Sequence, residues 1–370
     1  MASHEIRIDR RLPLAAEPHT GHNRWHPDIP PVLRCQPGDD VVLDTRDTFD
    51  GAFNMGSTTK DVAQADFGLV HPLTGPVFVE GAEPGDLLVA EILEVAPQPF
   101  GFTLQVPGFG FLRDDYPDPF LVRWELADGW AASDDLLGVR IAGAPFMGVI
   151  GVAPSRDLLD RATAREADVA ANGGVALPPD ADGAVPADPP VAAEGLRTIP
   201  PREHGGNVDI KQLTAGTRLF LPVWTDGALF SAGDAHFAQG DGESCGTAIE
   251  MAATLRVRLD LRKGQAAERG IRALCFERDD AGPAGFSPPR RYFATTGMCI
   301  ARDGRNGFED LTLAARNALD AMIDHLGHEY GYTRQQAYAI CSVAVDLKIS
   351  QAVDLPNVIV SAFLPLDIFV

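Results

Sequence analysis

Residues 204–250 read HGGNVDIKQLTAGTRLFLPVWTDGALFSAGDAHFAQGDGESCGTAIE, and this stretch holds most of the chain's metal-binding and proton-transferring side chains. Glycine-rich turns alternate there with two apolar runs, 218–224 and 228–237, that are typical of strands. The Thr-Asp-Gly sequence at 225–227 predicts a tight hairpin turn between the two runs. We therefore expect the polar side chains to lie at the ends of strands in a sheet.

The composition of the whole chain also favours strands. The 370 residues include 37 glycines and 29 prolines, and 45% of them are hydrophobic. Such frequencies are typical of short strands joined by many turns around a large core. The pattern over 71–95 predicts a hairpin of 77–80 with 87–95, and the strict alternation over 254–263 predicts a half-solvated strand.

A short buried strand is also predicted at 146–153, where glycines allow another group to approach the backbone closely.

The C-terminal part has helical periodicity. Apolar residues over 307–326 recur at helical spacing, which predicts an amphipathic helix. A second helix is expected from Thr333 to about 345, because Thr333 and Gln336 fit a capping box. The apolar tail, 353–370, predicts a strand that returns to the sheet. The fold is thus expected to be mostly β, with a smaller α/β portion at the C-terminus.

The composition changes over 155–200. A helix-like sequence, RDLLDRATAREADVAA, is followed by residues rich in Ala, Pro, Gly and Asp. This segment is either a linker between domains or an ordered loop that wraps back over the protein. We divide the chain into four regions. They are a β-rich N-terminal region (1–155), the wrapping segment (156–200), a β-rich region with the candidate catalytic motifs (201–305) and a helical α/β region (306–370).

The net charge of −21 argues against a nucleic acid or an anionic membrane as a partner, because phosphate binding needs clustered Lys and Arg. No run approaches 18 apolar residues and the N-terminus has no apolar signal region, so we expect a cytoplasmic protein. The five cysteines are scattered and form no CxxC pair, which predicts reduced thiols rather than disulfides or a zinc knuckle.

Asp234 and His236 are two residues apart in a predicted strand and so project from the same face. Such a pair either binds one divalent ion or lets the carboxylate orient the imidazole, unless it is only the polar end of an exposed strand. Glu243 follows in a glycine-rich turn whose backbone NH groups are expected to be free for an oxyanion. Glu243 is either a general base and later a proton donor, or a solvated carboxylate.

Two further groups of residues suit a metal site. Glu250 follows an apolar run and is expected to be buried, where a carboxylate needs a cation or a hydrogen-bond partner. Asn207 and Asp209 share a face after the sharp turn at the preceding glycines, close to His204. Their oxygens suit calcium or zinc, with ordinary Asx turns as the alternative.

Cys245 offers a second mechanism, in which its thiol is the nucleophile and Glu243 and Lys211 assist, as in nitrilase-type amidases. The acidic surroundings argue against it, because nearby carboxylates raise a thiol pKa and reduce the thiolate fraction.

Five motifs, in order along the chain, resemble those of one known family. They are HPLTGPVFVEGAEPGD (71–86), GVIGVAPS (148–155), TIPPREHGGNVDIKQL (198–213), LFSAGDAHFAQGDGESCGTAIE (229–250) and SVAVDLKISQAVD (342–354). On these motifs the chain resembles the acetamidase/formamidase family over nearly its whole length. The long insert before TIPPRE is similar to the formamidase branch.

The resemblance implies hydrolysis of a short aliphatic amide, formamide or acetamide, to a carboxylate and ammonia. It also implies β-sandwich and β-barrel parts, a homo-oligomer (dimer or trimer), and a divalent metal, zinc or alternatively calcium. The site residues that we carry over, or add as candidates, are catalytic Glu243, His236 and Glu250, metal-binding Asp234, His236, Asn207 and Asp209, and substrate-binding His71, Gln239 and His204. Whether Glu243 moves the proton while Glu250 serves the metal, or the reverse, stays open.

A non-catalytic sensor of small amides or urea is the alternative from another class. The presence of Glu243 and of the Asp234 and His236 pair favours an enzyme over a sensor.

Overall fold

The computed structural model describes residues 2–279, 282, 291–353 and 355–370. The strands are β1 (Ser3–Ile6), β2 (Gly21–His22), β3 (Arg24–Trp25), β4 (Leu33–Cys35), β5 (Asp39–Thr45), β6 (Leu73–Val79), β7 (Leu87–Gln105), β8 (Phe120–Ala127), β9 (Trp130–Ala132), β10 (Arg140–Ala142), β11 (Phe146–Gly151), β12 (Leu196–Arg197), β13 (Gly205–Asn207), β14 (Arg218–Pro222), β15 (Phe230–His236), β16 (Glu250–Arg262), β17 (Cys275–Glu277), β18 (Tyr292–Met298), β19 (Asp346–Gln351) and β20 (Ile359–Pro365). The helices are α1 (Thr59–Val62), α2 (Arg156–Ala171), α3 (Val191–Glu194), α4 (Gln265–Arg269), α5 (Leu311–Tyr330) and α6 (Arg334–Ala344).

Most strands belong to one large, mainly antiparallel sheet. Its main path runs β10-β9-β8-β7-β16-β15-β11-β13, with β5 beside β16 and β6 beside β15. In β16, Leu255, Val257 and Leu259 are buried, whereas Arg256 and Arg258 reach out to ion pairs. The prediction of a mostly β fold is therefore confirmed, as is the alternating strand over 254–263.

Both predicted hairpins are wrong. β14 pairs with β7 and β17, whereas β15 pairs with β11, β6 and β16. Gly227, Ala228 and Leu229 all have positive φ, of 75°, 58° and 56°, so the chain turns further than in a two-residue hairpin before β15 begins. In the same way, β6 pairs with β15, β2 and β4 rather than with β7. Long-range strand partners override both local turn signals.

The segment after α2 is ordered and packs on the N-terminal part of the chain. The guanidinium of Arg24 donates to the carbonyl oxygens of Asp180 and Asp182, and the side chain of Asn23 bonds the backbone of Gly183 and Val185. β12 pairs with β3. This segment thus wraps back over the protein, and strands from 1–155 and 201–305 share one sheet.

The C-terminal part contains the sheet β18-β20-β19, which α5 covers. The helix α5 begins after the N-cap Asp310, later than predicted, and α6 begins with the predicted capping box of Thr333 and Gln336. Asp354, which belongs to the predicted tail strand and the last motif, lies outside the described residues. Within the described ranges, no helix combines the length and hydrophobicity that a membrane span requires.

Candidate active site

Most of the predicted polar residues line a cavity of about 430 Å³. β15 carries Asp234 and His236, and the register of β15 with β16 places Glu250 directly opposite His236. Opposite residues of an antiparallel pair project from the same face, so these side chains converge. The Nε2 atom of His236 lies 3.2 Å from Glu250 Oε2, 3.4 Å from Asp234 Oδ2 and 3.9 Å from Glu243 Oε1.

Asp209 joins the same cluster. One of its carboxylate oxygens and ligand atoms of Asp234 and His236 all lie within 4.8 Å of one another. Asn207 also lines the cavity, and its Nδ2 donates to the carbonyl oxygen of Ile199 at 3.1 Å. The structure thus brings together the residues that were predicted for metal binding and catalysis.

Gln239 orients His236. The Nε2 group of Gln239 donates to the carbonyl oxygen of Asp209 at 2.8 Å, so its Oε1 faces His236 Nδ1, 2.9 Å away, and accepts its hydrogen. The other ring nitrogen, Nε2, therefore faces the carboxylates. Gln239 was predicted to bind substrate, and this placement corrects that role. Gln239 bonds Nδ1 of His236, the ring nitrogen that does not face the carboxylates.

Thr48 is a site residue that sequence reasoning missed. Its hydroxyl contacts both Asp234 Oδ1 and Glu250 Oε2. A hydroxyl has one proton and can donate to only one of the two carboxylates. Its contact with both therefore favours a shared proton or a cation between them. A threonine shortly after a strand, in the sequence DTRDTFD (44–50), is an ordinary turn residue, so the sequence carries no signal for this role.

His71 lines the cavity, as expected for a substrate contact. Its Nε2 lies 3.8 Å from Asp234 Oδ2, and its Nδ1 lies 3.0 Å from the hydroxyl of Thr198. His204 has a different place: its Nδ1 donates to the carbonyl oxygen of Val152 at 2.8 Å, and its ring packs edge-on against Trp25. Burial lowers the pKa of His204 to about 3. We therefore assign His204 a structural role, which corrects its prediction as a substrate contact.

Burial and mutual repulsion perturb the pKa values of the clustered carboxyl groups. Burial raises the pKa of Glu243 well above its usual value, and the charge of Asp209 raises it further. Burial also raises the pKa of Glu250. For Asp234 burial acts in the same direction, but the charges of His71 and His236 outweigh it and lower the pKa. The cluster thus contains carboxyl groups of different acidity, as acid and base catalysis require.

The residues present fit a divalent cation. Among the described residues, His236 Nε2, Asp209 Oδ1 and Asn207 Oδ1 are buried polar atoms with no hydrogen-bond partner. Burial opposes protonation of His236, but Glu250 and Asp234 outweigh it and raise its pKa, so positive charge is stabilised at this position. Carboxylate and amide oxygens with one imidazole are a donor set that suits zinc or calcium.

Cys245 has no geometry for nucleophilic attack. Its thiol donates to the carbonyl oxygen of Leu104 at 3.3 Å, and burial raises its pKa to about 11. Lys211, its predicted helper, is ion-paired with Asp346 instead. The low thiolate fraction and the direction of the thiol both contradict the alternative thiol mechanism.

The loop that carries Glu243 is held by α6 and the residue after it. The hydroxyl of Ser342 accepts from the backbone NH of Cys245 at 3.0 Å and donates to the carbonyl oxygen of Thr247 at 2.7 Å. A Cβ on Gly240 would lie 2.3 Å from the carbonyl oxygen of Val345. Several backbone NH groups of the loop donate within the protein, namely those of Gly240, Asp241, Glu243, Cys245 and Gly246. The expectation that the turn offers free NH groups to an oxyanion is therefore wrong for these five.

Gly148 in β11 lets two carboxylates approach. A Cβ at this position would lie 2.6 Å from both Asp209 Oδ1 and Asp234 Oδ2, and 2.8 Å from His236 Cε1. The predicted close approach to the glycines of 146–153 is thus confirmed, and the group that approaches is the carboxylate cluster itself.

Comparisons with known proteins identify the family of this chain. The model of the Acetamidase/Formamidase family matches residues 7–370. A formamidase from Methylophilus methylotrophus is 38% identical, covering 94% of this chain and 89% of that protein. An acetamidase from Mycolicibacterium smegmatis is 37% identical, covering 90% of this chain and 87% of that protein. The solved structure of a gamma lactamase from Delftia acidovorans has a TM-score of 0.94 at 37% identity, covering 100% of this chain and 93% of that chain.

The chain belongs to the Acetamidase/Formamidase family. This membership confirms the family that the five motifs predicted, and with it the prediction of an amidohydrolase.

We expect Gly148→Ala to lower kcat/KM by about 10²-fold or more, because the added methyl displaces Asp209 and Asp234 from their positions. Ammonia release measures the effect, and circular dichroism checks that the variant is folded. Gly327→Ala is a matched control, since its added Cβ lies 3.5 Å from the nearest atom, the Tyr332 carbonyl oxygen. Normal activity in folded Gly148→Ala would show that the cluster tolerates the displacement.

We expect Gln239→Leu to weaken binding of a divalent cation by about 10–100-fold, because the imidazole of His236 loses the group that orients it. Calorimetric titration of the metal-free protein measures this affinity without relying on turnover. Gln212→Leu removes a neighbouring hydrogen bond, 3.3 Å to Asp241, and should leave the affinity unchanged. Equal affinities in the two variants would contradict the orienting role.

Proposed function

We propose that the protein hydrolyses a short aliphatic amide, formamide or acetamide, to the carboxylate and ammonia with the help of a divalent cation. The observation that carries this proposal is the convergence around His236 of four carboxyl groups that line one cavity, those of Asp209, Asp234, Glu243 and Glu250. The names of the relatives, formamidase and acetamidase, support the same reaction class.

Asp234, His236 and Asp209 are the residues that we propose hold the cation, with Asn207 and Glu250 in support. When bound, a divalent cation polarises a carbonyl group and makes water more acidic. Zinc is our first expectation and calcium the alternative, because one imidazole with several oxygens fits either. Gln239 and Thr48 keep the imidazole and the carboxylates in place.

Glu243 is the proposed general base. Burial raises the pKa of Glu243, and a more basic carboxylate accepts a proton more readily. Glu243 takes a proton from the attacking water, whose oxygen forms the new bond to the carbonyl carbon. The carbon–nitrogen bond then breaks, and the same proton goes to the leaving ammonia. His71, at the cavity wall, is the proposed contact for the amide group.

The five loop NH groups named above are engaged within the protein, so we propose that positive charge in the cluster and His71 stabilise the tetrahedral oxyanion. The homo-oligomer and the cytoplasmic location stay predictions.

We expect Glu243→Gln to lower kcat by about 10²–10⁴-fold, because glutamine cannot accept the proton from water. Ammonia release from formamide and acetamide measures the rate. Asp241→Asn, in the same loop but paired with Lys348 at 3.5 Å, is the matched control and should keep its rate. Near-normal turnover in Glu243→Gln would exclude it as the base. Amide binding without ammonia release by the unaltered protein would favour a sensor.

We expect extensive chelation to abolish activity, because the buried carboxylates and His236 lose their compensating charge. Added zinc or calcium should restore the activity. Elemental analysis measures the remaining metal. Cys245→Ala should stay active, since its thiol faces Leu104. Full activity of metal-free protein, together with inactive Cys245→Ala, would support the thiol mechanism instead.

A further inference from the structure

The cavity is much larger than formamide or acetamide requires. Its volume of about 430 Å³ lies within the range of roughly 300–1,000 Å³ that holds drug-sized ligands. Acetamide fills only the part of such a space next to the carboxylates. The remaining part is therefore available to a larger acyl group.

Polar and apolar side chains line the cavity next to each other. Thr48, His71 and Glu243 are polar, while Phe49, which follows Thr48, and Val70, which precedes His71, are apolar. An amide group held at the carboxylates therefore has apolar side chains in the same cavity, against which its acyl group can pack.

The apolar part of the lining includes an aromatic wall that packing holds in place. The ring of Phe49 packs edge-on against Phe53 and Phe67, with ring centroids 5.3 Å and 5.8 Å apart. Phe67 in turn lies 5.5 Å from Phe109. Phe67 is only half-buried and Phe109 is 38% exposed, so both rings keep apolar surface that a ligand can cover.

We propose that the preferred substrates are primary amides whose acyl group is apolar and several carbons longer than acetyl. This inference rests on the amide hydrolysis proposed above. Each methylene placed against Phe67 and Phe109 leaves water, which favours the longer acyl group in the transition state.

The test measures ammonia release by the complete protein with its metal from formamide, acetamide, butyramide and hexanamide. We expect kcat/KM to rise by about fourfold per added methylene as the acyl group packs against the aromatic wall. The highest kcat/KM for formamide or acetamide would overturn the acyl-group proposal and leave amide hydrolysis intact. Release of ammonia from none of the amides would overturn the proposed function as well.

Variants of the aromatic wall give a second test. Phe67→Ala and Phe109→Ala should each lower the hexanamide-to-acetamide ratio of kcat/KM by about tenfold, since contact with one or two methylenes is lost. The ratio does not depend on the folded fraction of a preparation. Phe276→Ala, at a ring that is 42% exposed on β17, should leave the ratio unchanged. An unchanged ratio in both cavity variants would overturn the proposal.

Discussion

Electrostatic repulsion among four carboxylates around His236 is the constraint that the rest of the structure meets. Two like charges 4 Å apart repel each other by about 4 kcal/mol at an effective dielectric constant of 20. His236 and the Thr48 hydroxyl offset part of this repulsion through their contacts with Asp234 and Glu250. The divalent cation proposed above would offset the remaining part.

The scaffold holds this unfavourable arrangement with backbone that few residues adopt. Asp209, Asp234 and Glu243 all have positive φ, of 45°, 55° and 41°. Aspartate tolerates this region better than most residues, whereas glutamate is strained there. The surrounding ladders of β15 with β11 and β16 keep the cluster in place, and Gly148 leaves the space that it needs. Strained backbone of this kind persists only where many long-range contacts hold it in place.

The C-terminal α/β part contributes to the site although it supplies none of the clustered side chains. The Ser342 hydroxyl bonds the backbone of Cys245 and Thr247, which follow Glu243 in its loop, and the Tyr338 hydroxyl donates to the carbonyl oxygen of Ser244. Tyr338 also accepts from the backbone of Leu112, next to the cavity rim. One helix thus connects the loop of Glu243, the proposed acid-base residue, with the segment that borders the cavity, so the β and α/β parts both contribute to the candidate site.

By itself, the sequence determined the elements whose signals are local. Alternation specified β16, helical spacing specified α5, and the capping box specified the start of α6, because each pattern depends on neighbouring residues. The polar composition of 204–250 also identified most of the cluster. Only the tertiary structure decided the strand partners, which replaced both predicted hairpins with ladders between distant segments. It also decided the roles of Thr48, Gln239 and His204, because a hydrogen-bond partner far away in sequence leaves no local pattern.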